Sequence, residues 1–415
     1  MAEPALENSN LHLNPPLVDG GMGSGFGGLH PLTQAIRIQT PATQQMEHST
    51  PLFITSSFRF EDAEDMRAAF ADETDDNIYS RFSNPNVDEF IAKMVALEGA
   101  EAGFATATGM AAVFASMFSL LKQGDHIISS SSVFGSTYAM VTKFLPRFGI
   151  EATLVPADDK EAWETAIRPN TKMIYLETPT NPQLEILDLE WAGELAKKHN
   201  LILNVDNCFA TPLLQQPIQY GAHLVVHSAT KWIDGQGRVL GGVIVGRADL
   251  IKEIYMFCRN TGPSLSPFNA WVLSKSLETL DVRLQRHCEN ALALAKALEL
   301  HPQISWVKYP FLESHPQYAI AKKQMKAGGG IVCFEVKGGI ESGRKFLNGL
   351  KLLSMTANLG DTRSIASHPA STTHSRLSEQ ERLSVGITPG LIRVSVGLEY
   401  IGDVLHDITQ ALDGI

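Results

Sequence analysis

His223–Gly246 reads HLVVHSATKWIDGQGRVLGGVIVG, and its reading decides the fold. An apolar run, Leu224–Val226, ends in a polar cluster carrying a single lysine, Lys231. A second apolar run, Val243–Val245, follows a pair of glycines. Strand, turn and strand form a setting that keeps a lysine fixed, and a fixed lysine can form a Schiff base with a carbonyl. Ser228 and Thr230 offer neutral hydroxyls that could hold a phosphate without placing another cation beside the amine. Upstream, Leu201–Asp206 (LILNVD) is another apolar strand and ends in an acid.

Each of these features has an ordinary reading. A lone lysine after a strand is commonly a solvated loop residue, and an Asp at a strand end commonly caps a turn. Ser228-Ala229-Thr230-Lys231 also fits the S-x-x-K pattern of serine acyl-transferases, but the S-D-N and K-T-G tripeptides that accompany it are absent from this sequence. A lysine for an aldehyde and a carboxylate for a pyridinium nitrogen are the pair that pyridoxal phosphate chemistry uses.

Composition narrows the class. A chain of 415 residues makes two domains the natural expectation. A net charge of −11 with no basic block argues against nucleic acid and anionic membranes as partners. Cys208, Cys258, Cys288 and Cys333 are spaced too widely for a metal clip, so no metal is expected, and so few cysteines suit a reducing compartment. The first basic residue is Arg37, and the N-terminal stretch lacks the apolar core of a secretory signal. Met110–Leu121 is too short to cross a bilayer and reads as a buried helix. The expectation is a cytoplasmic enzyme acting on small molecules.

Met1–His30 is polar and glycine-rich and reads as a flexible arm. Its Gly23–Gly28 run fits G-x-G-x-x-G, but no strand precedes it and no helix follows, so a dinucleotide site is not expected. Asp76–Asn86 is a loop carrying Tyr79 and Arg81, a surface pair or a phosphate clamp. Gly103–Ala112 (GFATATGMAA) starts like a strand and passes into a helix. Gly109 and the amide of Met110 would sit at its N-terminus, where amide donors and the helix dipole attract phosphate.

From there strand candidates (126–129, 152–155, 173–177, 201–206, 224–227 and 243–245) alternate with helical segments, which implies an α/β domain with a mostly parallel sheet. Function in such sheets lies beyond the carboxyl ends of the strands, and Gly109, Phe134, Asn181, Asp206, Ser228 and Lys231 all fall there. A long helical tract, Ala270–Leu300, precedes strand candidates 304–309, 331–336 and 392–396, an α+β pattern. Arg393 lies between apolar neighbours on the last of these. It needs either an internal salt bridge or the carboxylate of an amino-acid substrate. The expected division is an N-terminal extension over 1–50, a large domain over 51–270 and a smaller C-terminal domain over 271–415.

YSRFSNPN, ATGMAA, VFGST, ETPTNP, NVDNCFATP, HSATKWIDGQGRVLGG, NLGDTRSIASHPASTTH and GLIRVSVGLE occur in that order from about Thr50 onward. Together they resemble the Cys/Met-metabolism PLP enzymes of fold type I: cystathionine γ-synthase, methionine γ-lyase and the homoserine-ester sulfhydrylases. The resemblance implies a large domain with a mostly parallel seven-stranded sheet and a smaller α+β C-terminal domain. Within the family, KWIDGQGRVLGG and VFGST are similar to the sulfhydrylases, O-succinylhomoserine sulfhydrylase in particular. Methionine γ-lyases typically carry Tyr and Cys where this chain has Phe134 and Ser136, and several relatives carry Ser at the position of Asn358.

The resemblance also implies roles. Lys231 binds the cofactor aldehyde and moves the α-proton. Asp206 pairs with the pyridinium nitrogen, Phe134 stacks on the ring and Asn181 reaches its hydroxyl oxygen. Gly109, Met110, Ser228 and Thr230 hold the phosphate. Tyr79 and Arg81 complete that cup from a neighbouring subunit, with Tyr79 close enough to the chemistry to share in it, and Asn358 and Arg393 take the substrate carboxylate. Shared sites imply a homotetramer built as a dimer of dimers. The implied reaction is γ-replacement on O-succinyl-L-homoserine with sulfide. O-acetylhomoserine sulfhydrylase, cystathionine γ-synthase and methionine γ-lyase activities stay open as alternatives.

Overall fold

The computed structural model of the chain describes residues 28–372, 375, 378–384 and 386–415. The expected arm up to residue 27 lies outside the described residues, as do Thr373 and His374 at the end of the STTH motif.

Seven strands form the main sheet: β1 (Ala102–Thr106), β2 (His126–Ser130), β3 (Glu151–Val155), β4 (Thr171–Glu177), β5 (Ile202–Asp206), β6 (Leu224–Ser228) and β7 (Gly242–Gly246). Their order is β1-β7-β6-β5-β4-β2-β3. β7 runs antiparallel to both its neighbours, and the rest of the sheet is parallel. The central strands are apolar nearly throughout because helices cover both faces. Phe90, Met94, Leu203, Val205, Val225 and Val243 pack together on one side, and Met173, Tyr175, Leu224, Val226 and Ile244 on the other.

Strand alternation then sorts the polar ends. Glu177 pairs in register with Asp206, and Asp206 with Val226. With a side-chain period of two, Tyr175, Glu177, Asp206 and Ser228 share one face, whereas Asn207 and His227 belong to the other. On that second face Glu98, the last residue of the helix Pro85–Glu98, accepts from Asn207 Nδ2 at 3.0 Å and lies 2.6 Å from His227 Nε2.

A second sheet holds β8 (Ile304–Lys308), β9 (Ile331–Val336), β10 (Ser354–Met355), β11 (Ile365–Ser367) and β12 (Leu391–Ser395), in the order β10-β11-β12-β9-β8. Helices Leu280–Glu299, Gly339–Gly349 and Ile401–Asp413 pack Leu294, Phe346 and Ile408 against its Phe334 and Val394. β10 and β11 are too short to leave a periodic signal and were not expected from the sequence. The tract expected as one helix is two, Pro267–Leu277 and Leu280–Glu299. No Pro or Gly marks the break. Arg283 stabilises it from a distance, donating from Nη2 to the Ser276 carbonyl at 3.0 Å.

The segment before residue 50 is anchored where it is described. Helix Pro31–Arg37 buries Ala35 in the main core, and the Thr40 amide donates to Glu89 at 3.0 Å.

Candidate active site

Lys231 occupies a tight turn directly after β6. The Gly235 amide donates to the Lys231 carbonyl at 2.8 Å, and the Asp234 amide to the Ala229 carbonyl at 2.9 Å. Arg283 fixes the turn from the helix beneath it, donating to the carbonyls of Trp232 (2.8 Å) and Ile233 (3.2 Å). A segment of the C-terminal region lies against the same turn. Gly360 has φ +77°, and a Cβ there would stand 2.7 Å from the Trp232 amide nitrogen and 2.9 Å from the Lys231 carbonyl carbon. Only glycine fits that approach.

That segment delivers Asn358. Lys231 Nζ donates to Asn358 Oδ1 at 2.7 Å. Burial pushes the Lys231 pKa below its ordinary value; the Cys208 thiol works against that, and the Arg393 charge adds to it. A neutral amine near pH 7 is what a proton acceptor needs.

Arg393, on β12, is buried. Its Nη1 donates to Asn181 Oδ1 at 2.9 Å and its Nη2 to the Asn358 carbonyl at 3.3 Å, while its Nε has no partner. Of the two readings open for this arginine, the internal salt bridge is the one the geometry does not support: among the described residues no carboxylate pairs with it. A buried guanidinium held only by neutral oxygens is poised for an incoming anion. Lys231, Asn358, Arg393 and Asn181 therefore form one continuous hydrogen-bonded line.

Asp206 ends β5 on the same side. Its Oδ2 accepts from Tyr175 Oη at 3.3 Å and its Oδ1 from the Cys208 amide at 3.0 Å. Glu177 ends β4 beside it and accepts from the amides of Phe134 (2.7 Å) and Asn181 (2.9 Å). Burial raises the pKa of both acids, and the Asp206 charge raises that of Glu177 further. Among the described residues neither acid pairs with a lysine or arginine. The Phe134 ring is exposed and free to take a flat partner.

The helix Gly109–Phe118 starts close to Ser228. A Cβ on Gly109 would meet Ser228 Cβ at 2.6 Å and its Cα at 2.8 Å. Thr108 caps the helix by accepting from the Ala111 amide at 3.1 Å. The amides of Gly109 and Met110 precede the intrahelical ladder, with Ser228 Oγ alongside them, a set of donors suited to a phosphate. Met110 Sδ lies 3.9 Å from Thr137 Oγ1. Thr230 Oγ1 donates to the Gly241 carbonyl at 3.3 Å and accepts from the Gly241 amide at 3.1 Å, which closes the lysine turn onto β7.

Tyr79 and Arg81 stand apart from this cluster. Arg81 donates to the Arg259 carbonyl and stacks on the rings of Phe82 (4.8 Å) and Tyr79 (5.5 Å). Tyr79 is 41% exposed.

Sequence reasoning passed over Glu177, Tyr175 and Arg283. Glu177 could have been found by the rule that found Asp206, since both acids end adjacent strands. Arg283 gives no local signal: a helical arginine is ordinary until the fold buries it under the lysine turn.

The residues present fit pyridoxal phosphate. A buried Glu177 and a half-buried Asp206 have no lysine or arginine partner among the described residues, a half-buried lysine amine follows the adjacent strand, and helix-start amides face a neutral hydroxyl. The fold and sequence have relatives that agree. Residues 32–413 match the family model described as Cys/Met metabolism PLP-dependent enzyme. The chain is 47% identical over 393 residues to an O-succinylhomoserine sulfhydrylase of Pseudomonas aeruginosa, covering 95% of this chain and 98% of that one. It is 43% identical over 370 residues to an L-methionine gamma-lyase of Porphyromonas gingivalis, covering 88% and 93%. Among solved structures it superposes with a TM-score of 0.89 on an O-acetylhomoserine (thiol)-lyase of Campylobacter jejuni that carries pyridoxyl-lysine monophosphate, at 35% identity over 93% of this chain and all of that one. The chain belongs to the Cys/Met metabolism PLP-dependent enzyme family, and its cofactor is pyridoxal 5'-phosphate.

Proposed function

We propose that the protein catalyses γ-replacement on O-succinyl-L-homoserine with sulfide, giving L-homocysteine and succinate. The observation that carries this reading is the line from Lys231 through Asn358 to Arg393, which sets a proton-transferring amine beside a buried, uncompensated guanidinium. The choice of ester and nucleophile rests on the VFGST and KWIDGQGRVLGG motifs and on the likeness to the Pseudomonas aeruginosa sulfhydrylase.

Pyridoxal phosphate, when bound, supplies the electron sink that makes an amino-acid α-proton acidic. Asp206 would hold its pyridinium nitrogen, Phe134 its ring face and Asn181 its ring hydroxyl oxygen. Gly109, Met110, Ser228 and Thr230 would hold its phosphate, with Thr230 turning its hydroxyl from Gly241 to do so. Tyr79 and Arg81 of a neighbouring copy would complete that cup, with Tyr79 sharing in proton movement.

Arg393 binds the substrate carboxylate through the Nε that has no other partner, and Asn358 steadies the amine. Lys231 Nζ, its pKa lowered by burial, takes the α-proton. A second proton then leaves Cβ as the Cγ–O bond breaks and succinate departs. Hydrosulfide bonds to Cγ, and Lys231 returns a proton to Cα as Cβ recovers its own. Ester and hydrosulfide together carry the atoms and charge of homocysteine and succinate.

The test is a comparison of kcat/KM for the succinyl and acetyl esters of homoserine, each with sulfide, with cysteine and with no nucleophile. The proposal expects the succinyl ester with sulfide to lead. Preference for the acetyl ester or for cysteine, or release of an α-keto acid without nucleophile as the main reaction, would replace it with the corresponding relative's activity.

A further inference from the structure

We propose that Glu177 is a positioning residue that sets the cofactor's face and edge together, an inference that rests on the reading above. Its carboxylate ends β4 and is buried. One oxygen accepts from the Phe134 amide at 2.7 Å, the other from the Asn181 amide at 2.9 Å. These amides belong to two separate loops. The first carries the ring that stacks on the cofactor. The second carries the amide side chain that meets the cofactor's edge, and that side chain also accepts from Arg393 at 2.9 Å. One carboxylate therefore fixes the stacking ring, the edge contact and, one bond further on, the guanidinium that takes the substrate. Asp206 sits beside it in strand register, so all of these groups are referred to the ends of β4 and β5.

The geometry needs a carboxylate and not merely a polar side chain of the same size. Both oxygens face N–H donors, and neither faces a lysine or arginine among the described residues. A glutamine offers one acceptor only, and its NH2 would oppose the second amide. One loop would be released while the core volume stayed the same.

The experiment compares wild-type protein with Glu177→Gln and Glu177→Asp, each stripped of cofactor and titrated with pyridoxal 5'-phosphate. Affinity, the visible circular dichroism of the bound cofactor and the melting temperature of the apoprotein are read. Glu177→Gln is expected to weaken cofactor binding about ten- to hundredfold, the equivalent of one charge-assisted hydrogen bond. It should also alter the visible dichroism while moving the apoprotein's melting temperature little. Glu177→Asp keeps both acceptors but draws them back, and should show the same spectral change more weakly; it carries the test if the glutamine variant does not fold. Wild-type affinity and dichroism in both variants would overturn the proposal. A wild-type protein that failed to bind the cofactor would instead overturn the assignment of the site.

Discussion

Lys231 Nζ donates to Asn358 Oδ1 at 2.7 Å, and the Asn358 carbonyl accepts from Arg393 Nη2 at 3.3 Å. In the proposed mechanism one residue thus joins the amine that moves protons to the guanidinium that takes the substrate. Donating to the amide oxygen leaves a neutral amine its lone pair for the α-proton in that mechanism. Asn358→Ala should lower kcat/KM by about ten- to hundredfold, the range for a hydrogen bond to a group that becomes charged. Asn358→Ser, which restores a smaller acceptor, should recover part of that loss. Steady-state kinetics on the three proteins check this; an alanine variant as fast as wild type would remove Asn358 from the site.

Gly109 has no room for a side chain. A Cβ would press on both Cβ and Cα of Ser228, at 2.6 and 2.8 Å. Relief requires the helix start or β6 to shift, and both carry phosphate donors in the proposed site. Gly109→Ala should weaken cofactor binding at least tenfold, roughly the loss of one hydrogen bond to the phosphate, as measured by reconstituting the apoprotein.

Arg81 stacks on Tyr79 and Phe82 and donates to the Arg259 carbonyl. If it serves a neighbouring copy, Lys231→Ala and Arg81→Ala chains will complement each other. Random mixing places one intact site in each mixed pair, so activity should return to roughly a quarter of the wild-type value under two-fold symmetry. The assay is co-refolding or co-expression of the two variants. Absence of recovery in demonstrably mixed oligomers would mean that each chain builds its own cup.

The main sheet was legible in the sequence because helices cover it on both faces. Six of its strands are apolar runs bounded by polar ends, and the chemistry-bearing residues follow those ends. β1 appeared only as a strand-like start because Gly103 and two alanines dilute its apolar signal. The break between Leu277 and Leu280 was not legible, since its partner Arg283 reaches it only in the folded chain. The line from Lys231 to Asn358 joins residues 127 positions apart. The family motifs named its members, but no periodicity could supply the contact. Glu177 was in plain view within ETPTNP, and its two loop amides were not.

His287 offers a test of the packing beneath the lysine turn, where its ring meets Trp232 edge-on at 4.9 Å. It is fully buried, with Nδ1 at 2.7 Å from the Val396 carbonyl, so that nitrogen carries the proton. Burial lowers its pKa from 6.5 to about 4. Between those values the unfolded chain binds a proton that the folded chain does not, so stability is lost as pH falls through this window and regained as it rises. Replacing His287 by Gln removes the titration. On going from pH 7 to pH 5, wild type should lose about 2 kcal/mol more than the variant. Urea denaturation at the two pH values gives the difference directly, and equal losses would mean that the imidazole titrates normally in the fold.

The central claim is that one amine, that of Lys231, holds the cofactor covalently. Borohydride reduction of the purified holoprotein, followed by proteolysis and mass spectrometry, tests it most directly. The account predicts a pyridoxyl phosphate mass on the peptide spanning Lys231 and on no other, and no such adduct in Lys231→Ala. An adduct on a different lysine, or an unmodified Lys231 in protein that retains bound cofactor, would contradict it.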